Sequence, residues 1–194
     1  DEIKLLSPVG ASGSYFTEFG WTSTASQKLA LPDTDTVWRA NQDTLSPSSP
    51  VTLSWDNGQG LAFTRTISID QNYMFTITDR VENTGQTPVA LYPYGLISRW
   101  ETPATAGFYI LHEGPLAVLN NQMDEPNYKA LKEDGAIKKT STTGGWVGIT
   151  DKYWMVVLVP EKVEQLEANF AYQGHNGQDK YQVDYIGTEV RTVA

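Results

Sequence analysis

Alternation of apolar and polar residues is the sequence feature that most constrains the fold of this chain. Apolar side chains fall largely on every second position through the segment 61–69, and again from 73 to 81. A period of two places such side chains on one face of a β-strand. The turn-forming residues Asp70, Gln71 and Asn72 separate the two segments. The pattern therefore predicts an antiparallel hairpin.

Further strands are predicted by similar segments, which are 15–21, 51–55, 89–99, 107–112, 146–149, 154–159, 168–172 and 180–186. The continuous apolar run 154–159 indicates a strand covered on both faces. A short helix is predicted over 124–133, where Tyr128 and Leu131 share a face, and a second over 161–167. Many short strands between Gly, Pro and Asn turns, with little helix, predict an all-β antiparallel sandwich or barrel.

Composition narrows the classes of function. The 194 residues carry a net charge of −9 and no cysteine. An acidic chain without basic runs lacks the electrostatic attraction that nucleic acids and anionic membranes require, so neither is an expected partner. The longest apolar run is too short to span a bilayer, and the N-terminus has no signal-peptide pattern. We expect one domain over residues 1–194, either cytosolic or excised from an exported protein.

Catalytic motifs are missing from the sequence. It has no nucleotide-binding glycine pattern and no nucleophile elbow. Asp33 and Asp35 begin like a calcium loop, but Val37 and Trp38 stand where a ligand and a glycine are needed. His112 and His175 are the only histidines and lack metal-ligand spacing, so we interpret His112 as a structural, hydrogen-bonded residue. No catalytic residue, metal or other cofactor is predicted.

Aromatic residues are the richest remaining candidates for a binding site. A groove that stacks on sugars or captures extended peptides is one interpretation; ordinary core and cross-strand packing is the other. Arg99 beside Trp100 is the most site-like pair, because an arginine next to an aromatic ring can orient a polar ligand. The candidate groove residues are Trp38, Tyr92, Tyr94, Arg99 and Trp100.

Several segments, read together, resemble the large first periplasmic domain of the YidC-type membrane protein insertases of Gram-negative bacteria, in the alphaproteobacterial style. The segments are 3–8, 15–21, 63–69, 73–83, 92–99, 112–115 and 144–160. The most specific is the hairpin motif with Gly144, Gly145, Trp146, Asp151, Lys152, Tyr153 and Trp154. Together these segments cover nearly the whole chain in the order of the family.

The resemblance implies an antiparallel β-supersandwich similar to galactose mutarotase, with one or two short helices, on the periplasmic face of the inner membrane. In the family, one transmembrane helix precedes the domain and five follow, and the insertase activity belongs to those five. The chain is then a single domain, 1–194, that forms an interior fragment without the domain's first and last strands and without the flanking helices. Unpaired strand edges in such a fragment invite dimer contacts.

The function that the resemblance implies is a non-enzymatic docking and chaperone-like module. Its expected partners, through the parent protein, are SecD/SecF, the Sec translocon and nascent membrane proteins. With only two scattered histidines, none of the catalytic residues of the mutarotase relatives can be placed on this sequence. The resemblance therefore implies a domain that kept the fold and lost the chemistry, since function resides in sites and not in folds. Two alternatives remain: a carbohydrate-binding or mutarotase-like sugar enzyme, and a purely structural spacer.

Overall fold

Strands account for nearly all regular structure in the computed structural model, which describes residues 5–105, 111–134, 137–162, 164–175 and 177–194. In chain order the elements are β1 (Tyr15–Ser23), β2 (Arg39–Ala40), β3 (Val51–Asp56), β4 (Leu61–Ile69), β5 (Phe75–Asn83), β6 (Val89–Trp100), β7 (Gly114–Leu119), β8 (Gln122–Asp124), α1 (Tyr128–Asp134), β9 (Ile137–Thr143), β10 (Trp146–Thr150), β11 (Met155–Leu158), β12 (Gln165–His175), β13 (Gln178–Gly187) and β14 (Arg191–Val193). All strand pairs with a described register are antiparallel. The predicted all-β antiparallel class is confirmed.

Two sheets pack face to face in the first compact unit, Asp1–Phe19 with Pro93–Glu189. One sheet has the order β1-β6-β13-β12-β9 and the other β11-β10-β7-β8. Alternate residues of both sheets point into a shared apolar core, as the period of two requires. Its buried members are Tyr15, Ile97, Ala117, Leu119, Tyr128, Leu131, Val147, Ile149, Leu158, Ala168, Phe170, Tyr181 and Val183.

The second compact unit, Gly20–Tyr92 with Val190–Ala194, has its own core. One of its sheets has the order β2-β3-β4-β5, and β14 pairs with the first residues of β6. The buried members of the core are Leu61 and Phe63 of β4 and Val89 and Leu91 of β6. The predicted hairpin is confirmed as β4–β5, although β5 begins at Phe75 because Tyr73 has a φ of 61° and belongs to the turn.

The two predicted helices need correction. Helix α1 spans only Tyr128–Asp134, since Gln122–Asp124 forms β8. The Asn127 side chain caps α1 by accepting a 2.8 Å hydrogen bond from the Ala130 amide. The helix predicted over 161–167 is wrong, because β12 begins at Gln165 and pairs with both β9 and β13.

Two strand predictions also differ from the structure. Most of the strand predicted over 107–112 lies outside the described residues; Leu111 and His112 are not in a strand, and β7 begins at Gly114. The run 154–159 is not covered on both faces. Its strand β11 lies at the edge of a sheet, with β10 as its neighbour, and Met155 and Val159 are exposed.

Candidate functional site

A partly buried ion pair between Arg99 and Asp151 forms the centre of the candidate site in the first unit. Arg99 lies near the end of β6 on the face that points into the core, opposite Tyr181 of β13. Its Nη1 atom donates hydrogen bonds to Asp151 Oδ1 at 2.6 Å and to the Tyr128 hydroxyl at 3.3 Å. Its guanidinium carbon lies 4.6 Å from the centre of the Tyr15 ring. The pair therefore ties β6 to the β10–β11 turn.

Burial and charge oppose each other in this cluster. Burial raises the pKa of the Tyr15 and Tyr128 hydroxyls above the ordinary value, while the neighbouring Arg99 charge lowers it less strongly. Burial alone would lower the pKa of Arg99. Tyr128 and Asp151 together raise it by more than burial lowers it, so the pKa of Arg99 lies above its ordinary value. Both tyrosines stay neutral and Arg99 stays charged at physiological pH. The cluster is thus a fixed cation held between neutral rings and one carboxylate.

A second polar cluster surrounds Asp179 at the start of β13. Its carboxylate accepts hydrogen bonds from Lys132 Nζ at 2.8 Å, Thr102 Oγ1 at 2.7 Å and the Tyr172 hydroxyl at 2.8 Å. These donors, Lys132 first, lower the pKa of Asp179 from 3.8 to about 2. Thr102 also shares a 2.7 Å hydrogen bond with the Tyr181 hydroxyl, so the cluster is joined to the core.

A cavity of about 680 Å³ opens beside these clusters. The described residues that line it are Thr102, Pro103, Thr105, Leu111, His112, Glu113, Glu125, Asn127, Tyr128 and Lys129. His112 is already engaged, because its Nε2 atom lies 2.9 Å from the carbonyl oxygen of Pro115, which can only accept a hydrogen bond. This contact agrees with the interpretation of His112 as a structural residue.

This arrangement can recognise a ligand or a neighbouring surface by hydrogen bonding and by the shape of the cavity. Within the described residues, no group of three or more His, Asp and Glu side chains is placed to hold a metal ion. The Arg99 guanidinium and the Asp179 carboxylate both have internal partners. Such groups can orient a neighbouring surface or a polar ligand, whereas acid–base catalysis needs a base within reach of the substrate.

The predicted groove residues of the first unit do not share one face of β6. Adjacent residues of a strand point to opposite faces, so Trp100 lies on the face opposite Arg99, with Lys180 Nζ 5.7 Å from its ring centre. On that same face of β6, the Tyr94 hydroxyl donates a 2.6 Å hydrogen bond to Glu18. None of these predicted aromatic residues lines the cavity described above.

Trp38 and Tyr92 belong to the second unit. The Trp38 ring lies 5.6 Å from the guanidinium carbon of Arg65, whose side chain forms a two-pronged ion pair with Asp79 at 2.7 and 2.8 Å. Tyr92 is partly buried on β6. Trp38 precedes β2 and packs against the buried cluster of the second unit, and ligand binding by either ring stays a prediction.

The hairpin motif of the sequence has clear structural reasons. Gly144 and Gly145 both have positive φ, 64° and 95°, in the β9–β10 turn. A Cβ atom on Gly144 would lie 2.7 Å from the carbonyl oxygen of Lys162, and one on Gly145 would collide with the carbonyl oxygen of Val118. No side chain fits at either position.

The remaining motif residues belong to the hairpin that β10 forms with β11. Trp146 begins β10, and Asp151 anchors the far end through Arg99. Tyr153 and Trp154 are exposed, and Lys152 Nζ lies 5.0 Å from the centre of the Tyr153 ring. The sequence pattern therefore marks a rigid hairpin with an exposed aromatic turn.

Sequence reasoning missed the Asp179 cluster and the role of Tyr15. The members of the Asp179 cluster come from positions as far as 77 residues apart, and no local motif connects them. The sequence predicts Tyr15 only as part of a strand. Its place at the start of the segment 15–21 was the available signal, and its burial is seen in the structure.

Comparison with known proteins identifies the family. The family model described as the YidC periplasmic domain matches residues 1–194. Curated relatives named membrane protein insertase YidC are 46% identical over 95% of this chain in Beijerinckia indica, 43% over all of it in Methylobacterium nodulans, and 40% over 99% in Granulibacter bethesdensis. The chain covers 31 to 34% of the length of these three relatives. No helix among the described residues has the length and apolarity of a membrane span. The chain belongs to the YidC periplasmic domain family.

Proposed function

We propose that this chain is a non-catalytic docking module of a membrane protein insertase, held on the periplasmic face of a Gram-negative inner membrane. Support comes first from the family match over the whole chain and from the name of its relatives, membrane protein insertase. Because the chain covers only about a third of each relative, the insertion step itself is assigned to the remaining two thirds of the parent protein.

The single observation that carries the non-catalytic assignment is the closure of the charged site. Arg99 and Asp151 are 2.6 Å apart, with 15% and 29% of their side chains exposed. A cation paired in this way stabilises the sandwich and the β10–β11 turn. It is not available to polarise a substrate, which is what a catalytic arginine must do.

The partners that we propose are SecD/SecF, the Sec translocon and the loops of nascent membrane proteins. Exposed apolar side chains in the described part of the chain offer contact points for such partners, among them Val37, Met123 and Val190. The chaperone-like role and the likeness to galactose mutarotase are parts of the same proposal. Carbohydrate binding gains no support from the geometry, since neither Trp38 nor Trp100 lines the cavity.

Site-specific photo-cross-linking in the full-length parent protein tests this function. A photoreactive amino acid is placed at Val37, Met123 or Val190 in turn, and the cross-linked products are probed for SecD, SecF and the translocon subunits. At least one position is expected to yield such a product, while a cross-linker at the buried residue Ile97 yields none. Normal expression with no Sec product from any exposed position would contradict the docking assignment.

A further inference from the structure

The β10–β11 turn carries three consecutive exposed apolar or aromatic side chains, Tyr153, Trp154 and Met155, preceded by Lys152. We call these four residues the aromatic tip. Of these, Tyr153, Trp154 and Met155 are 77%, 46% and 49% exposed. Large aromatic side chains are normally among the most buried in a sheet protein. Their exposure side by side at the end of a hairpin indicates a surface that meets another phase or molecule.

The aromatic tip is held rigidly. The Asp151 amide donates a 2.8 Å hydrogen bond to the Trp154 carbonyl oxygen, which closes the turn. The Asp151 carboxylate is fixed by Arg99 at 2.6 Å, and Ile149, just before the turn, is fully buried. A preorganised patch loses little conformational entropy when it binds. The same ion pair also balances the one acidic charge at the base of the turn.

The residue types of the tip match one chemical environment. Tryptophan and tyrosine have amphipathic rings that favour the headgroup region of a bilayer. Lysine can extend its apolar stem along such a region while its ammonium group stays in water. In the aromatic tip the ammonium group of Lys152 lies 5.0 Å from the centre of the Tyr153 ring, so the charge and the ring are already placed together.

The β4–β5 turn supplies a contrast within the same chain. It also exposes apolar residues, Tyr73, Met74 and Phe75, but they follow Asp70, Gln71 and Asn72, so this turn has an asparagine where the aromatic tip has Lys152 and no basic residue to offset Asp70. The Asp70 carboxylate accepts hydrogen bonds from the backbone amides of Asn72 and Met74. Asp70 therefore serves the turn, and the negative charge remains beside its apolar residues.

We propose that the aromatic tip inserts into the headgroup region of the lipid bilayer and seats the domain on the membrane surface. This inference rests on the proposed function for the nearness of a bilayer. A bilayer accepts a protruding turn without a shaped groove, which a protein partner would have to provide.

Charge predicts how this binding depends on conditions. The chain carries a net charge of −9, so a membrane rich in anionic lipid repels it at low salt. Binding through the aromatic tip is therefore expected to be stronger on zwitterionic vesicles. On anionic vesicles it should increase as salt screens the repulsion. A protein held by basic residues would show the opposite salt dependence.

The lack of cysteine in the sequence makes a direct test possible. Tyr153→Cys and, as a matched control, Val9→Cys each receive one environment-sensitive fluorophore; Val9 is 69% exposed. Vesicles of phosphatidylcholine are compared with vesicles that also contain phosphatidylglycerol. A blue shift is expected for the label at position 153 and none for the label at position 9.

Vesicle flotation gives the affinity. The variant Tyr153→Ser/Trp154→Ser is expected to bind about tenfold more weakly than the wild type, whereas Val9→Ser binds like the wild type. Circular dichroism verifies that both variants are folded. If the double variant does not fold, the labelled single-cysteine chains still decide the question.

Three results would overturn the proposal. The first is an unchanged emission at position 153 with every vesicle composition. The second is a blue shift without vesicles that grows with protein concentration, which would indicate a second copy of the chain. The third is a shift with a Leu/Ala-rich peptide and not with vesicles, which would indicate an apolar protein segment. Sec cross-links from Val37, Met123 or Val190 do not involve the tip, so failure here leaves the proposed function separately testable.

Discussion

The guanidinium of Arg99 connects three elements of the first unit: β6, which carries it, the β10–β11 turn through Asp151, and β1 through the Tyr15 ring. An arginine suits this position because its planar fork donates to a carboxylate while its face stacks on an aromatic ring. A lysine would keep the charge and lose the stacking. The residue that the sequence suggests as a ligand contact is therefore part of the framework that shapes the hairpin.

Replacing Arg99 by methionine is expected to lower the free energy of unfolding by about 2 kcal/mol, because Asp151 is left without its cation in a partly buried place. Urea denaturation measures the loss. The matched control is Arg80→Met, whose partner Glu82 is exposed, and it should stay within about 0.5 kcal/mol of the wild type. Equal losses in the two variants would contradict the structural role of Arg99.

The lowered pKa of Asp179 predicts how the free energy of unfolding depends on pH in the acid range. Its three donors hold the folded-state pKa at about 2, below the ordinary 3.8, so the deprotonated form stabilises the fold above pH 4. That contribution is lost as the pH falls from about 4 to about 2. The measured quantity is the difference in free energy of unfolding between the wild type and Asp179→Asn. It should shrink over this range, and a difference that stays constant from pH 6 to pH 2 would show the assignment to be wrong.

At the scale of the element, the β9–β10 turn explains why the sequence motif begins with two glycines. Gly144 and Gly145 occupy positive φ where a Cβ atom would meet backbone oxygens of neighbouring segments. These oxygens cannot move as the end of a flexible side chain can. The glycines are therefore required by close backbone approach as well as by conformation.

Gly145→Ala is expected to destabilise the protein by about 3 kcal/mol or more, since both the strained φ and the collision with Val118 must be relieved. Gly58→Ala is the matched control. Gly58 also has a positive φ, 68°, but a Cβ atom there meets no atom within 4 Å, so the cost is about 1 kcal/mol. Thermal and urea unfolding measure the loss of unfolding free energy in both variants. Equal losses would show that the positive φ alone sets the cost and that the collision with Val118 adds nothing.

How well sequence predicts an element depends on whether the element has an apolar face of its own. The strand β4 alternates and was predicted with the observed bounds, 61–69. The strand β9, Ile-Lys-Lys-Thr-Ser-Thr-Thr, is almost entirely polar and was missed, because its place comes from pairing with β12. The sequence analysis predicts no strand at β7, which contains Pro115, a residue that local rules keep out of central strands; in the structure Pro115 is fully buried within that strand.

The candidate site shows the same limit. Arg99 could be selected from the sequence because it stands beside Trp100, but its real partner, Asp151, lies 52 positions away. Only the register of β6, β13 and the second sheet brings the two together. Trp100 was predicted to act with Arg99, yet the pleat of β6 places it on the other face. Long-range pairs of this kind need the fold before they can be recognised.

At the scale of the whole molecule, the chain has two compact units, each with its own buried cluster, and each unit is assembled from separated stretches of sequence. The second unit contains residues 20–92 and also residues 190–194. The Asn83 side chain links these two stretches by donating a 3.0 Å hydrogen bond to the Val193 carbonyl oxygen. The last residues of the chain thus complete the core that Phe63 and Leu91 begin.

Because the two buried clusters contain different residues, we expect each to control the local opening of its own unit. Phe63 and Phe170 are a matched pair, each 2% exposed. Replacing either by alanine should cost about 3–5 kcal/mol. Amide hydrogen exchange under native conditions should show faster opening of β3, β4 and β5 in Phe63→Ala, and of β12 and β13 in Phe170→Ala. If each substitution speeds exchange equally throughout the chain, the molecule opens as one cooperative unit and the two cores do not act separately.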